Sequence, residues 1–465
     1  MYCGDETGAY IGDVGSHTAR FGYGGEDNPK YVAPSYMATS SKPYVPTSCY
    51  RYHDNLKPVY RMANNDQKPV VDPTEFLSQG DTVENWDALE EVWQHSFDVL
   101  RARERFKHTK GGGAYERKNI VRGPASPDEL CVHPILAVRP GCTHVVDSHT
   151  NQDKEMEKYI EFMFETLQAD SCFIAPSPML AAFSHGRQTC LVVDVGASGC
   201  KATPVVDGLV LEQAQRRNGR GADWLANVTW NAMLKDGVDV VPRYRVSDTK
   251  AKMDNPFMTQ WAIRDLMFEF RTSPHVSLQS WRYGGYTTPF VYQNSEDANE
   301  DMAQQPETYE LPDGTLVNLE TNIGHDLKRV PELLFTDDIP FVDNISTKVN
   351  QHATLSNAPL HQLVYESLSA VGDADLRKEL CNNIVLVGGS SLFPNMEQRL
   401  SYEISGIITS SVKCKVIASK FSVERSCAPW IGASVLTSLG SFQQLWLSRK
   451  EYDELGPSLA GQRFP

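Results

Sequence analysis

Two aspartates in this chain each end a short apolar run and are followed by a glycine turn: Asp13 in Ile11-Gly-Asp-Val-Gly-Ser16, and Asp194 in Val193-Asp-Val-Gly-Ala-Ser-Gly199. The chemistry that suits this arrangement is phosphate and divalent-metal binding. A glycine-containing hairpin tip exposes successive backbone N–H groups to phosphate oxygens, and an aspartate at a strand end can hold the hydrated Mg²⁺ that accompanies them. Two such tips facing each other could clasp one nucleotide from both sides. One copy alone reads first as ordinary turn chemistry, so it is the repetition that points to a nucleotide. A third segment adds to it. The apolar run Ile384-Val-Leu-Val387 stops at Gly388-Gly389-Ser390-Ser391, where adjacent glycines let a backbone approach a base or phosphate closely. The plainer reading of that segment is a strand-to-helix loop, with Ser391 or Asn395 capping a helix through Met396, Leu400 and Ile404. The two readings are compatible.

The elements that must position these residues are strands. Cys190 to Val193 reads as a buried strand, Gly196 and Gly199 permit a tight reversal, and Lys201, Thr203 and Val205 alternate as a returning strand does. In the first copy Gly15 turns the chain and residues 18–21 return. Residues 31–72, rich in proline, tyrosine and polar groups, suit an irregular region. Leu89, Val92, Trp93 and Phe97 give one apolar helix face in a helix beginning at Trp86. Residues 134–138 suit a strand, and residues 155–167 a helix with Met156, Ile160, Met163 and Phe164 inward. Phe173-Ile174 suits a short strand, and residues 179–183 a helix that His185-Gly186 terminates. The stripe Trp430, Ile431, Val435, Leu436, Leu439, Phe442, Leu445 and Trp446 reads as core. Alternating strands and helices make the class α/β.

At 465 residues the chain can bury a large core in two domains or two lobes. Its formal net charge of -15 disfavours nucleic-acid binding by the chain as a whole. One local exception is the basic segment 101–122, with eight arginines and lysines around Gly111-Gly112-Gly113. It reads as a mobile surface loop, solvated or in contact with protein, in preference to a DNA contact. An acidic segment at about 294–309 (Glu296, Asp297, Glu300, Asp301, Glu307) reads as solvated and disordered. The ten cysteines form no C-x-x-C pair and no regular framework, which supports neither zinc nor disulfide scaffolding and fits a reducing compartment. With no apolar leader and no run of membrane-spanning length, the expectation is a soluble intracellular protein that meets no membrane.

Together these motifs resemble the actin superfamily. Residues 11–35 are similar to its first phosphate loop and the strands that follow. Val83-Glu-Asn-Trp-Asp-Ala-Leu-Glu-Glu-Val-Trp-Gln-His-Ser-Phe97 and Met163-Phe-Glu-Thr-Leu167 are similar to two of its helices. The most specific likeness is Ser441-Phe-Gln-Gln-Leu-Trp-Leu-Ser-Arg-Lys-Glu-Tyr-Asp-Glu-Leu-Gly-Pro-Ser458, close to the family's C-terminus. The resemblance implies the two-lobed fold shared by actin, Hsp70 and sugar kinases, with a nucleotide cleft between related sheets. It assigns residues 1–184 plus 428–465 to the smaller lobe and 185–427 to the larger. Tyr10-Ile-Gly-Asp13, Ala19-Arg-Phe-Gly-Tyr-Gly24 and the long insertions look most similar to the fourth class of actin-related proteins. That class is nuclear and sits beside an actin monomer in chromatin-remodelling and histone acetyltransferase complexes.

Carried over residue by residue, the resemblance places Asp13 and Asp194 at hydrated Mg²⁺, and Gly15, Ser16 and Gly196 at phosphate. It places Arg20 where the family has a phosphate-contacting lysine, and Gly388 and Gly389 on the adenine side. Arg20 keeps the charge, although its fork is bulkier than an ammonium. Ser177 stands where actins carry the glutamine that orients the attacking water, Lys201 replaces a histidine of the water network, and Ala197 replaces an aspartate. Losing these groups implies little or no ATP hydrolysis. Met267, Phe268 and Ser426 fall where actins use polar or charged groups around base and ribose, while His17 and Ser198 replace loop glycines. Phe183, Leu436, Leu439 and Leu445 match the groove in which the family receives partner helices.

The implied function is a nuclear scaffold that holds Mg-ATP structurally and pairs with an actin monomer on a long helix of a remodelling or acetyltransferase subunit. Its basic segment is then a candidate contact for histone or DNA. An actin-fold ATPase of chaperone or kinase type is the enzyme alternative, and Ser177, Ala197 and Lys201 supply no catalytic group for it. The other alternative is a filament-forming cytoskeletal protein. Against it, residues 37–62, with Pro43, Pro46 and Pro58, bear little likeness to the corresponding filament-contact loop.

Overall fold

The computed structural model describes residues 8–35, 37–38, 45–46, 83, 86–108, 134–139, 149–235, 237–238, 308–311, 314–318, 330–336, 358–408, 412–459 and 463–464. In chain order the first strands are β1 (Tyr10–Val14), β2 (Thr18–Tyr23), β3 (Tyr31–Pro34), β4 (Met37–Ala38), β5 (Val45–Pro46), β6 (Ile135–Arg139), β7 (Ser171–Pro176) and β8 (Cys190–Val195). They are followed by β9 (Cys200–Val206), β10 (Leu209–Val210), β11 (Arg216–Asn218), β12 (Thr308–Glu310), β13 (Leu316–Asn318), β14 (Ile384–Val387), β15 (Val416–Ile417) and β16 (Leu447–Ser448). The helices are α1 (Trp86–His108), α2 (His149–Glu161), α3 (Ser177–Ser184), α4 (Ala222–Lys235) and α5 (Leu360–Ala370), then α6 (Ala374–Asn382), α7 (Met396–Ile407), α8 (Ser422–Ser426), α9 (Ala428–Thr437) and α10 (Arg449–Leu455).

The chain divides into two compact units. One comprises Met1–Gln188, Val205–Val210 and Cys427–Pro465, the other Thr189–Pro204 and Leu211–Ser426. Each is an α/β body built on its own mixed sheet.

In the first unit the sheet order is β16-β7-β6-β1-β2-β3. Strand β1 lies between its antiparallel hairpin partner β2 and the parallel strand β6. Every residue of β1 is buried, as expected of a central strand covered on both faces. Trp93 of α1 and Trp430 of α9 are both fully buried among Tyr10, Phe21 and Leu180. Helix α9 lies directly against α3, where Gly432 leaves no room for a Cβ beside the Leu180 carbonyl. In the second unit β9-β8-β14-β15 are neighbours, with β11 antiparallel to β9 and β14 parallel to β8. Its core joins Leu191 and Val193 of β8 to Leu225 of α4, Leu363 of α5 and Leu400 of α7. Thus β8, like β1, has a hairpin partner on one side and a parallel strand on the other.

Four expectations change. Helix α1 runs on to His108, so residues 101–108 of the basic segment are helical and not loop. Arginine, alanine, glutamate and lysine are good helix formers, and the first glycine comes only at Gly111. The rest of that segment and the acidic residues 296–307 lie outside the described residues. Residues 31–34 form an edge strand, and Met37–Ala38 pairs with Val45–Pro46 in a short antiparallel ladder; apart from Ser35, the remainder of 31–72 lies outside the described residues. Helix α2 does not continue as α-helix to Leu167 but widens into a π-helical turn over Phe162–Thr166, where the Leu167 N–H donates to the Phe162 carbonyl at 3.0 Å. Finally, the stripe beginning at Trp430 is not all core. Trp430 and Phe442 are buried, whereas Val435, Leu439 and Leu445 are 46%, 48% and 51% exposed. The helical period ends with α9 at Thr437, and the chain continues as a 3-10 turn, Gly440–Gln444, so no single face extends along the stripe.

Candidate nucleotide site

The two aspartate–glycine repeats are hairpin tips of the same construction. At the first, the Gly15 N–H donates to the Thr18 carbonyl at 3.1 Å; at the second, the Gly196 N–H donates to the Gly199 carbonyl at 3.0 Å. Equivalent residues close both turns, which leaves Ser16-His17 and Ala197-Ser198 at the apices, all half-buried.

The first tip carries its own charge pair. The β1–β2 register puts Asp13 directly opposite Arg20, so their side chains share one face of the sheet. Arg20 Nη1 donates to Asp13 Oδ2 at 2.9 Å, with side chains 16% and 10% exposed. Burial pushes the Asp13 carboxyl above the usual carboxylate range, against the pull of Arg20. For Arg20, burial disfavours the charge, but Asp13 and Cys427 outweigh it and hold the guanidinium firmly protonated. The tip is braced by the His17 carbonyl, which accepts from the Ser35 N–H at 3.0 Å.

The second tip is fixed by its neighbours in the second unit. The Gly196 carbonyl accepts from the Ala222 N–H at 3.1 Å and from Ser390 Oγ at 3.2 Å, while the Ala197 carbonyl accepts from the Asp223 N–H at 3.0 Å. Asn218 secures the return strand, its Oδ1 accepting from the Cys200 and Arg220 N–H groups at 3.1 Å each. The parallel β8–β14 register sets Val387 beside Asp194, which brings the next residue, Gly388, over the aspartate. Gly388 has φ +95°, a conformation natural only to glycine, and a Cβ there would collide with Asp194 Oδ1 and the Val195 carbonyl. Gly389 opens the 3-10 turn Gly389–Leu392. Asn395 takes the N-cap position of α7 in left-handed backbone, without a side-chain cap, and Ser391 Oγ instead donates to the Gly388 carbonyl at 2.7 Å.

Helix α8 holds this loop from behind. The Gly388 N–H donates to the Arg425 carbonyl at 2.9 Å, and the Arg425 guanidinium donates to the Ser391 carbonyl. Burial lowers the Arg425 pKa, with Glu397 opposing. Arg425, Asn218 and Cys427 are supports that sequence reasoning missed. They lie far in sequence from the tips they brace, and no local spacing announces them.

The structure therefore gathers the proposed residues into two sets, each in its own unit: Asp13, Gly15, Ser16 and Arg20 in the first, and Asp194, Gly196, Gly388 and Gly389 in the second. Ser177 is the first residue of α3, Lys201 lies on β9 opposite Arg217, and Ser426 ends α8, its Oγ donating to the Val423 carbonyl at 3.4 Å. Met267 and Phe268 lie outside the described residues. Of the groove residues, Phe183 on α3 and Leu436 on α9 are half-buried, and Leu439 and Leu445 are open to solvent.

Chemically, both tips suit anionic oxygens. Each presents backbone at a tight reversal, and Arg20 adds a fixed positive charge. Among the described residues no group of three or more His, Cys, Asp and Glu could cage a metal ion. A Cβ on Gly388 would meet Asp194 Oδ1, and one Asp13 oxygen is bonded to Arg20.

The family profile described as Actin matches residues 4–465. The protein named Actin-related protein 4 from Oryza sativa subsp. indica is 30% identical over 494 aligned residues, covering all of both chains. Its namesake from Arabidopsis thaliana is 28% identical, again over all of both chains, and that from Neurospora crassa is 28% identical over all of this chain and 96% of its own. With the whole length matched and two tips of like construction, the chain belongs to the actin family, within its actin-related protein 4 class.

Proposed function

We propose that this protein is a nuclear, non-filamentous scaffold that holds ATP structurally, turns it over slowly or not at all, and pairs side by side with an actin monomer on a long helix of a chromatin-remodelling or histone acetyltransferase subunit. The actin fold generally binds ATP with Mg²⁺. The observation that carries the reading is the contrast between two hairpin tips of like construction at Asp13 and Asp194 and the residues Ser177, Ala197 and Lys201, which stand where the resemblance expects water-positioning groups. In-line attack on a terminal phosphate depends on holding a water in place, so a short serine at the start of α3 and an alanine at the second tip should cost several orders of magnitude in rate. The open apolar residues Leu439 and Leu445, with Val435 between them and the buried Trp430, support a role in receiving an amphipathic helix.

Calorimetry with Mg-ATP and single-turnover phosphate release test the nucleotide half of this reading. Binding with negligible release is expected. Release at the rate of an actin filament would remove the non-enzyme reading, and absence of binding would remove the structural nucleotide.

A further inference from the structure

The pairing of Asp13 with Arg20 has a consequence for the metal. A carboxylate that is to hold hydrated Mg²⁺ must keep its oxygens for the metal's water shell. Here Oδ2 of Asp13 accepts from Arg20 Nη1 at 2.9 Å, at the end of a fully buried strand and in hairpin register with its partner. Charge-assisted bonds of this length are strong, and both side chains are largely shielded from water. The bond is closed within one hairpin of one unit, and Cys427 of the same unit also interacts with Arg20.

We propose that Arg20 is a built-in counter-ion at the first tip, taking over the neutralising role of a divalent cation at Asp13, so that this tip stays neutralised with no metal bound. Arginine is suited to this double duty where lysine is not. Its planar fork has five donors, so it can hold the carboxylate through Nη1 and still offer N–H groups to a phosphate. The phosphate contact rests on the reading of the tip as a nucleotide site. The counter-ion role does not, because it concerns the chain with no ligand.

The test is thermal unfolding of the full chain, purified without nucleotide, in EDTA and in millimolar Mg²⁺. Wild type should melt at the same temperature in both. The Arg20→Met variant should melt lower by on the order of 5–10 °C, because breaking a buried pair leaves its partner charged and alone. Added Mg²⁺ should restore part of that loss, a response wild type lacks. The double variant Asp13→Asn/Arg20→Met should return most of the stability without metal, and it decides the matter if the single variant does not fold. A wild type destabilised by EDTA, a single variant indifferent to Mg²⁺, or a double variant no more stable than Arg20→Met would overturn the proposal. ATP binding measured in parallel keeps the two readings apart: a wild type that ignores EDTA but binds no ATP would sink the structural nucleotide and leave the counter-ion standing.

Discussion

Replacing Gly388 with alanine should be among the most damaging one-carbon changes in the second unit. Two costs add. The first is backbone strain: at φ +95° an L-residue is disfavoured by about 1–3 kcal/mol. The second is steric. A Cβ would lie 2.5 Å from the Val195 carbonyl oxygen and closer still to Asp194 Oδ1, where an unstrained carbon-to-oxygen contact is about 3.3 Å. Relief requires β14 and the end of β8 to part, in strands whose residues are almost all buried, and overpacking of this kind typically costs about 1–3 kcal/mol. The sum is about 2–6 kcal/mol. Gly314→Ala is the matched control in the same unit, since Gly314 also has positive φ (+85°) but nothing within 4 Å of its would-be Cβ. It should show the strain alone, about 1–3 kcal/mol. Urea unfolding of both variants, followed by a probe in the second unit, measures the difference, and ATP affinity should fall only for Gly388→Ala, whose Cβ displaces Asp194. If the two variants lost equal stability, the close approach of the Gly388 loop to Asp194 would be wrong.

Other expectations concern the first unit. Ser448 and Glu451 form a capping box at α10, with the Glu451 N–H donating to Ser448 Oγ at 3.3 Å and the Ser448 N–H donating to Glu451 Oε2 at 2.9 Å. Ser448→Ala should lower stability by about 0.5–2 kcal/mol in chemical denaturation. The Ser448 N–H and hydroxyl hold the Glu451 carboxyl below its usual pKa. A depressed folded pKa gives stability that is present above the unfolded value of about 4.5 and is lost as the pH falls through the folded one. The gap in melting temperature between wild type and Glu451→Gln should therefore be constant near neutrality and close below pH 4.5; a gap that widened in acid would reverse the assignment. Leu439→Asp/Leu445→Asp should barely change folding, since both side chains are about half exposed and surface substitutions usually fall within about 0.5 kcal/mol. The same charges against a bound apolar helix face should weaken its binding at least about tenfold by fluorescence anisotropy, whereas undiminished binding would move the contact elsewhere.

How much of this was legible in the sequence follows from what each feature depends on. Both hairpin tips were readable because an apolar run that ends in a glycine turn is a local signal: Asp13, Gly15, Asp194 and Gly196 lie at the ends of buried strands and in the turns that follow. The same holds for β14 and for the end of α3, where Gly186 adopts φ +63°. The length of α1 is a local matter too, since helix propensity stays high through residues 101–107. The π-helical turn at Phe162 could not be read, because an apolar run does not say whether an i→i−4 or i→i−5 bond forms beneath it. Exposure of Leu439 and Leu445 depends on where α9 stops, and the grip of Arg425 on the Gly388 loop depends on tertiary placement. The Asp13–Arg20 bond lies between these cases. Hairpin register implies it, yet resemblance had assigned both residues to a ligand and not to each other.

The central claim is that this chain is a scaffold partner of monomeric actin. Affinity purification of the full-length protein, tagged at its own locus, with quantitative mass spectrometry of what comes with it, tests that claim most directly. The account predicts actin in near one-to-one amount together with a remodelling or acetyltransferase subunit bearing a long amphipathic helix. Recovery of the protein without actin, or mainly with metabolic enzymes, would contradict it.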